Sequence, residues 1–181
     1  FDNSKPYQQI PFQYSLHYKK SKNSKVQHFE FLAEAGIDPR IKFIENLLRD
    51  TKGNGDILTY NKSFEILRLK EIAEAFPQYK KDIEERINRI KDLMLPFQKK
   101  YYYTNKMQGS YSIKYVLPAL IPELSYEDLE INEGGLASIA FENLYYESDF
   151  IRINEIRQNL LEYCRMDTYA MVRLLEKLES L

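Results

Sequence analysis

The stretch IPFQYSLHYKKSKNSKVQHFEFL, Ile10 to Leu32, decides how this chain begins to fold. Ile10, Phe12, Tyr14, Leu16 and Tyr18 alternate strictly with Pro11, Gln13, Ser15 and His17. A period of two in a run rich in aromatics marks a half-buried strand. Lys19 to Lys25 (KKSKNSK) is a polar turn, and Val26–Leu32 (VQHFEFL) is the returning strand. The pair reads as a β-hairpin whose lysine-rich tip stands in water.

Beyond the hairpin the period changes. Asp38-Pro39 places a capping residue before a proline at the first helical position, and Ile41, Ile44, Leu47 and Leu48 follow at helical spacing. Gly53-Asn54-Gly55 stops that helix. A short apolar strand, Ile57–Tyr60, leads into a helix over about Ser63–Phe76, which Pro77 ends. A second helix carries Tyr79, Ile83, Ile87 and Ile90 on one stripe. Asp92–Tyr103 has no single pattern: Leu93, Met94 and Leu95 are a candidate short strand, Pro96 breaks it, and Asp92 is expected to cap a turn. Helices follow over Ser112–Leu120, about Leu136–Tyr146 after Gly134-Gly135, and Asn154–Leu178. A hairpin followed by helix–strand–helix alternation predicts an α/β fold, a mixed sheet with helices packed on it.

Composition narrows the function. The 181 residues suit one domain spanning 1–181 with a real core. Twenty-six basic against 27 acidic side chains, a net charge of −1, exclude a polycation, so any nucleic-acid contact must be a local patch. The lone Cys164 excludes an internal disulfide framework and any multi-cysteine zinc site, and suits a reducing, cytoplasmic compartment. Tyr115–Pro122, uncharged and holding two prolines, is far too short to span a bilayer. The first residue is Phe1 rather than Met, so the chain is expected to be an N-terminally truncated piece of a longer protein.

The most informative residue is Asp167. On a wheel of Asn154–Leu178, Ile156, Leu160, Tyr163, Cys164, Ala170, Met171, Leu174 and Leu178 fall within about 60° of it. Glu155, Glu162, Arg165, Arg173 and Glu176 lie on the other side. Asp167 is therefore a lone charge on the stripe that faces the core, and an unpaired buried carboxylate must be compensated. One explanation makes it the cap of a second helix after a break at Arg165-Met166, but the stripe keeps its phase on both sides. Glu65 repeats the anomaly, sharing a face with Leu69, Ile72 and Phe76 in the first turn after a strand. Taken alone, Glu65 is an acid favoured by the helix dipole. Taken together, two inward carboxylates converging where a sheet meets helices are what hard cations such as Mg²⁺ or Mn²⁺ require. A third reading treats both acids as structural ion pairs with Arg68 or Arg157.

At these residues the chain resembles a known superfamily. Asn61-Lys62-Ser63-Phe64-Glu65 after a strand is similar to the second motif of the DEDD 3′–5′ exonucleases, and Tyr163-Cys164-Arg165-Met166-Asp167 to their third motif in its tyrosine form. Ser112-Ile113-Lys114-Tyr115-Val116-Leu117 resembles the helix start between them. The order of elements resembles their RNase H-like fold. More narrowly, PYQQIPFQYSLH (Pro6–His17), YNKSFE (Tyr60–Glu65), GSYSIKYVLPAL (Gly109–Leu120) and YCRMDTYAMV (Tyr163–Val172) resemble an uncharacterised bacterial domain family within that superfamily. Two departures stand out. The second-motif acid is Glu65 rather than Asp, and the first motif, an Asp-x-Glu pair on a central strand, is absent. Asp2 is no substitute, having Ser4 two residues on and no apolar strand around it.

The resemblance implies two-metal phosphodiester hydrolysis that releases nucleotides from the 3′ end of single-stranded DNA or RNA. Glu65 and Asp167 would be Mg²⁺ or Mn²⁺ ligands, completed by an upstream pair. Tyr163 would orient the attacking water, and Asn61 would position substrate or Glu65. This chain alone is expected to be inactive. Substrate contacts are expected from Lys99-Lys100-Tyr101-Tyr102-Tyr103 with Lys106, above all Lys100 and Tyr102, since bases stack on rings while ammonium groups meet phosphates. The competing reading of that segment is an edge strand whose lysines discourage pairing with other chains. The missing central strand would be replaced by an upstream segment, by a strand-exchanging homodimer, or by pairing of Tyr7–Tyr18 with Ile57–Tyr60. His17 and His28 sit on separate strands without ligand spacing, and Cys164 is a small core residue. The alternative to an enzyme is a non-catalytic RNase H-like module that binds nucleic acid or a protein.

Overall fold

The computed structural model describes residues 1, 4–5, 8–126 and 129–180. Asp2 and Tyr7, both weighed above, lie outside these residues. The chain is mixed α/β, with seven α-helices and two two-stranded sheets among the described residues. It divides into two compact units. One comprises Phe1–Phe12 with Asp38–Val116, the other Gln13–Ile37 with Leu117 to the C-terminus.

The first unit is built on a parallel pair. Strand β3 (Ile57–Thr59) runs beside β4 (Ile90–Asp92) in the register Ile57↔Ile90, Leu58↔Lys91, Thr59↔Asp92. Parallel strands need a long crossover, supplied here by α2 (Lys62–Ala75), a single 3₁₀ turn and α3 (Lys80–Arg89). Before them comes α1 (Arg40–Asp50). As expected from Asp38-Pro39, the Asp38 carboxylate accepts the Arg40 backbone N–H at 3.0 Å. It also grips the Arg40 guanidinium at 2.6 Å. That guanidinium is only 2% exposed and lies 5.1 Å from the Phe76 ring centroid, so the ion pair belongs to the core with Phe43, Ile44 and Ile72. The far end of α1 is tied by α3: Arg86 donates to the Leu48 carbonyl at 3.0 Å and Arg89 to the Thr51 carbonyl at 2.7 Å. These guanidinium groups satisfy carbonyls that a helix end leaves open.

Two expectations need correction here. The strand placed at Leu93–Leu95 is Ile90–Asp92 instead, and Leu95 opens α4 (Leu95–Gln98). The Asp92 carboxylate accepts the Met94 N–H at 3.0 Å and turns the chain there, as a turn cap should, so the strand ends earlier than apolarity suggested. The lysine–tyrosine run is not an edge strand. It leaves α4 through a left-handed Lys100 (φ 57°), with the Tyr101 and Tyr102 N–H groups both donating to the Pro96 carbonyl, and reaches α5 (Ile113–Leu120) through a 3₁₀ turn at Asn105–Met107.

The second unit rests on the hairpin. Strand β1 (Gln13–Tyr18) pairs antiparallel with β2 (Gln27–Leu32), bringing Tyr14 opposite Phe31 and His17 opposite His28. Helix α7 (Phe150–Glu179) packs on it, with α6 (Gly134–Asn143) alongside. The suggested pairing of Tyr7–Tyr18 with Ile57–Tyr60 is not formed by the described residues, because β1 takes β2 and β3 takes β4. Nor is there a break at Arg165-Met166; α7 is one helix of 30 residues. It starts four residues before Asn154 because the Asp149 carboxylate accepts the Ile151 N–H at 2.9 Å, holding a first turn whose Phe150 and Ile151 are exposed. No helix among the described residues is long and apolar enough to cross a membrane.

Candidate functional site

Glu65 stands in the first turn of α2, directly after β3, as the motif reading required. Asn61, at the cap position, adopts a left-handed conformation (φ 71°) that asparagine tolerates better than most residues. Its side chain makes no capping bond. The cap comes from Asp92 on the neighbouring strand, whose two oxygens accept the Asn61 N–H at 3.0 Å and the Lys62 N–H at 3.1 Å. Asp92 thus closes two chain turns at once. The sequence showed it only as a turn cap, because its second role depends on the β3–β4 pairing.

Glu65 shares α2 with the buried Leu69 and Ile72, and its Oε2 is buried without a hydrogen-bond partner. Burial pushes its carboxyl up to about 7, a nearby backbone N–H opposing and the Asp92 charge assisting. Thr59 Oγ1, one residue before Tyr60, is likewise buried without a partner. Tyr60 itself is raised by burial and by Asp92, and its hydroxyl donates to the Tyr111 carbonyl at 2.6 Å. A site-directed carboxylate with an open acceptor, beside a second carboxylate, is a corner that favours a cation or a shared proton.

In the second unit Asp167 occupies the middle of α7, between Leu160, Ala170 and Leu174, which are fully buried. Tyr163, one turn earlier, hydrogen-bonds to Asp167. Burial, the Asp167 charge and that bond together raise the Tyr163 hydroxyl well above its ordinary value, so it stays a donor. Its oxygen lies 3.9 Å from where a Cβ would stand on Gly134, at the start of α6. Cys164 beside it is half-buried rather than in the core, and its thiol is pushed up to about 12 by burial and by Asp167. The arginines offered as structural partners are engaged elsewhere: Arg157 donates to the Ala33 carbonyl at 2.8 Å, and Arg68 pairs with Glu71 at 3.2 Å.

The same helix carries a polar network that sequence reasoning missed. Thr168 Oγ1 is hydrogen-bonded to Ser15 Oγ at 2.7 Å and to His17 Nδ1 at 2.8 Å, and Ser15 Oγ to His28 Nε2 at 2.9 Å. The two imidazoles stack with centroids 4.4 Å apart. Burial first, then the His28 and Arg165 charges, push His17 down to about 4; burial also lowers His28, against the pull of Glu30. Ligand spacing along the chain gave no hint of this pair because the hairpin register makes it.

Of the substrate candidates, Lys100 is exposed at the left-handed residue after α4, while Tyr102 is half-buried and edge-on to Phe97, with centroids 6.2 Å apart. Glu65 and Asn61 lie in the first unit, Tyr163 and Asp167 in the second. Among the described residues no three His, Cys, Asp or Glu side chains are grouped as metal ligands. Glu65 fits a cation by its orphaned oxygen, but one such oxygen is not a cage, and Asp92 is committed to backbone N–H groups.

One curated relative, the "Uncharacterized protein UU173" of Ureaplasma parvum serovar 3, is 27% identical over 132 residues, covering 64% of this chain. The chain spans 19% of the length of that relative. No solved structure matches it significantly. A family model matches residues 1–112, which hold the hairpin, the β3–α2 corner and Asp92. By that match the chain belongs to the family described as Domain of unknown function (DUF2779).

Proposed function

We propose that this chain belongs to an RNase H-like, metal-dependent 3′–5′ exonuclease domain acting on single-stranded DNA or RNA. The observation that carries the reading is the buried, unpartnered Oε2 of Glu65 in the first turn after β3. A carboxylate costs several kcal/mol there unless it is protonated or paired, and a divalent cation would be its missing partner. The Tyr163–Asp167 bond on the inward face of an unbroken α7 gives it second support.

In this reading Glu65 in the first unit and Asp167 in the second would each be a Mg²⁺ or Mn²⁺ ligand, as the motif resemblance implies. The ions would polarise the phosphodiester and draw water toward it. Tyr163, kept protonated and aimed by Asp167, orients that water, and Asn61 fixes the backbone entry to Glu65. The chain alone, with two of four acids, is inactive. A strand from an upstream segment or from a second copy would extend one of the sheets, each of which has two strands among the described residues.

The test is a Mn²⁺ titration, read by electron paramagnetic resonance, of this chain and of a longer protein that includes the preceding residues. It is paired with cleavage of 5′-labelled single-stranded DNA and RNA. The longer protein should shorten its substrate from the 3′ end. Glu65→Gln and Asp167→Asn should each slow it by about a hundredfold or more, a loss on the scale of a misplaced catalytic group. Equal cleavage by Asp167→Asn, or turnover by the 181-residue chain alone, would overturn the assignment. A folded longer protein that binds oligonucleotide but neither Mn²⁺ nor cleaves it would leave the non-catalytic module.

A further inference from the structure

Between Asp92 and Glu123 the chain carries no acid, and Lys99, Lys100, Lys106 and Lys114 are the only charges of residues 93–122. At the chain's average acid content such a window would hold about four, so the balanced net charge conceals a local cationic stretch. The same window puts tyrosine rings in water. Tyr101 is 82% exposed, Tyr103 48%, Tyr111 46% and Tyr115 44%. None of the four packs on another aromatic ring among the described residues, and Lys99, Lys100 and Lys106 make no ion pair among them. Single exposed rings are ordinary, but four so close in the chain, in one stretch with Lys99, Lys100 and Lys106, single this segment out.

The backbone beneath is fixed. Phe97, Met107 and Val116 are buried and pin the segment at three points. Left-handed Lys100, and Gln108 with Gly109 (φ 51° and 77°), set its reversals. Tyr60 joins it to the Glu65 corner, its ring 6.5 Å from Phe97 and its hydroxyl on the Tyr111 carbonyl. Exposed rings interleaved with lysine ammonium groups suit a strand whose bases are unpaired, because every base offers a π face and every nucleotide a phosphate. An acidic peptide would use the lysines and leave the rings idle.

We propose that the outward face of residues 99–115 binds single-stranded nucleic acid, Tyr101, Tyr103 and Tyr111 stacking bases and Lys99, Lys100 and Lys106 meeting phosphates, and that it leads the strand to the Glu65 corner. Only the last clause rests on the nuclease reading; the binding does not. Tyr102, edge-on to Phe97, supports the surface from beneath.

The test is fluorescence anisotropy of labelled dT20 and rU20 with the full 181-residue chain in EDTA, at 50 and 200 mM salt. Three phosphate contacts predict a slope of log K against log salt of about −2, hence roughly a 20-fold loss between the two salts. Tyr101→Ala/Tyr103→Ala should weaken binding by at least about tenfold with the slope unchanged. Lys99→Ala/Lys100→Ala should flatten the slope by about 1.4. Tyr145→Ala/Tyr146→Ala, removing exposed rings of the second unit, should bind as wild type, and circular dichroism checks each fold. No binding, or full binding by the Tyr101/Tyr103 variant, would overturn the inference. So would displacement by poly-L-glutamate at equal charge, which would mark an acidic-protein surface. EDTA removes divalent-ion chemistry, so a failed cleavage assay leaves this surface standing, and a failed binding assay leaves the catalytic assignment open.

Discussion

The two units each turn polar side chains inward, and they complete them to different degrees. Around Thr168 the network closes: Ser15, His17, His28 and the threonine hydroxyl bond to one another within 3 Å. Around Glu65 it stays open, with a carboxylate oxygen and the Thr59 hydroxyl buried and unmatched while Asp92 serves the backbone. A closed network stabilises a helix on a hairpin, whereas an open acceptor costs free energy that only a ligand or a proton recovers. The difference separates a structural cluster from a candidate site better than residue type does, since both contain titratable groups.

The largest break should come from Asp92→Ala. Three backbone N–H groups lose their acceptor, and we expect a loss of about 2–4 kcal/mol in urea unfolding. A loss below about 1 kcal/mol would mean that water replaces the cap at little cost and that the corner is looser than drawn.

Glu65→Gln should act in the opposite direction. In the folded chain Glu65 keeps its proton up to about pH 7, whereas the unfolded chain releases it near 4.5. Stability from this group is therefore full below pH 4.5 and lost as pH rises through 7. The neutral amide should raise stability at pH 8 by about 1–3 kcal/mol and change little at pH 4. Thermal melts at the two pH values, without divalent ions, read this directly; equal shifts would show that Glu65 is not strained by its charge.

The smallest effect sharpens the contrast. His17 is held near 4 against an unfolded value of 6.5, so its contribution is complete above pH 6.5 and disappears as pH falls to 4. Because the ring is half-exposed, screening reduces that loss to about 1 kcal/mol. His17→Phe should keep the stack on His28, cost about 1 kcal/mol at pH 7 through the missing Thr168 bond, and remove this acid lability. The two groups titrate in opposite senses over the same range. The wild-type profile between pH 4.5 and 6.5 should therefore lie between those of the two variants, Glu65→Gln falling toward acid and His17→Phe falling toward neutral pH.

Much of the architecture was legible. The alternation from Ile10 to Tyr18 predicted β1, the Asp38-Pro39 signal predicted α1, and the unbroken stripe around Asp167 predicted a continuous α7. The inward aspect of Glu65 and Asp167 followed from helical phase alone. Three features were not legible. β4 is three residues long, too short for periodicity to register, and exists because β3 pairs with it. Asp92 caps α2 across some thirty residues of chain. The His17–His28 pair depends on register: Tyr18 opposite Val26 would set His17 against Gln27, whereas the ladder pairs Tyr18 with Gln27.

By itself, then, the sequence determined which segments are helices and strands and which acids face inward, because those depend on spacing between near neighbours. Tertiary structure alone decided which polar groups find partners. Hydrogen bonds such as Ser15 to Thr168 and Asn61 to Asp92 join residues whose distance along the chain says nothing of their distance in space. Whether a buried oxygen is matched or left open is settled only when those strands and helices meet.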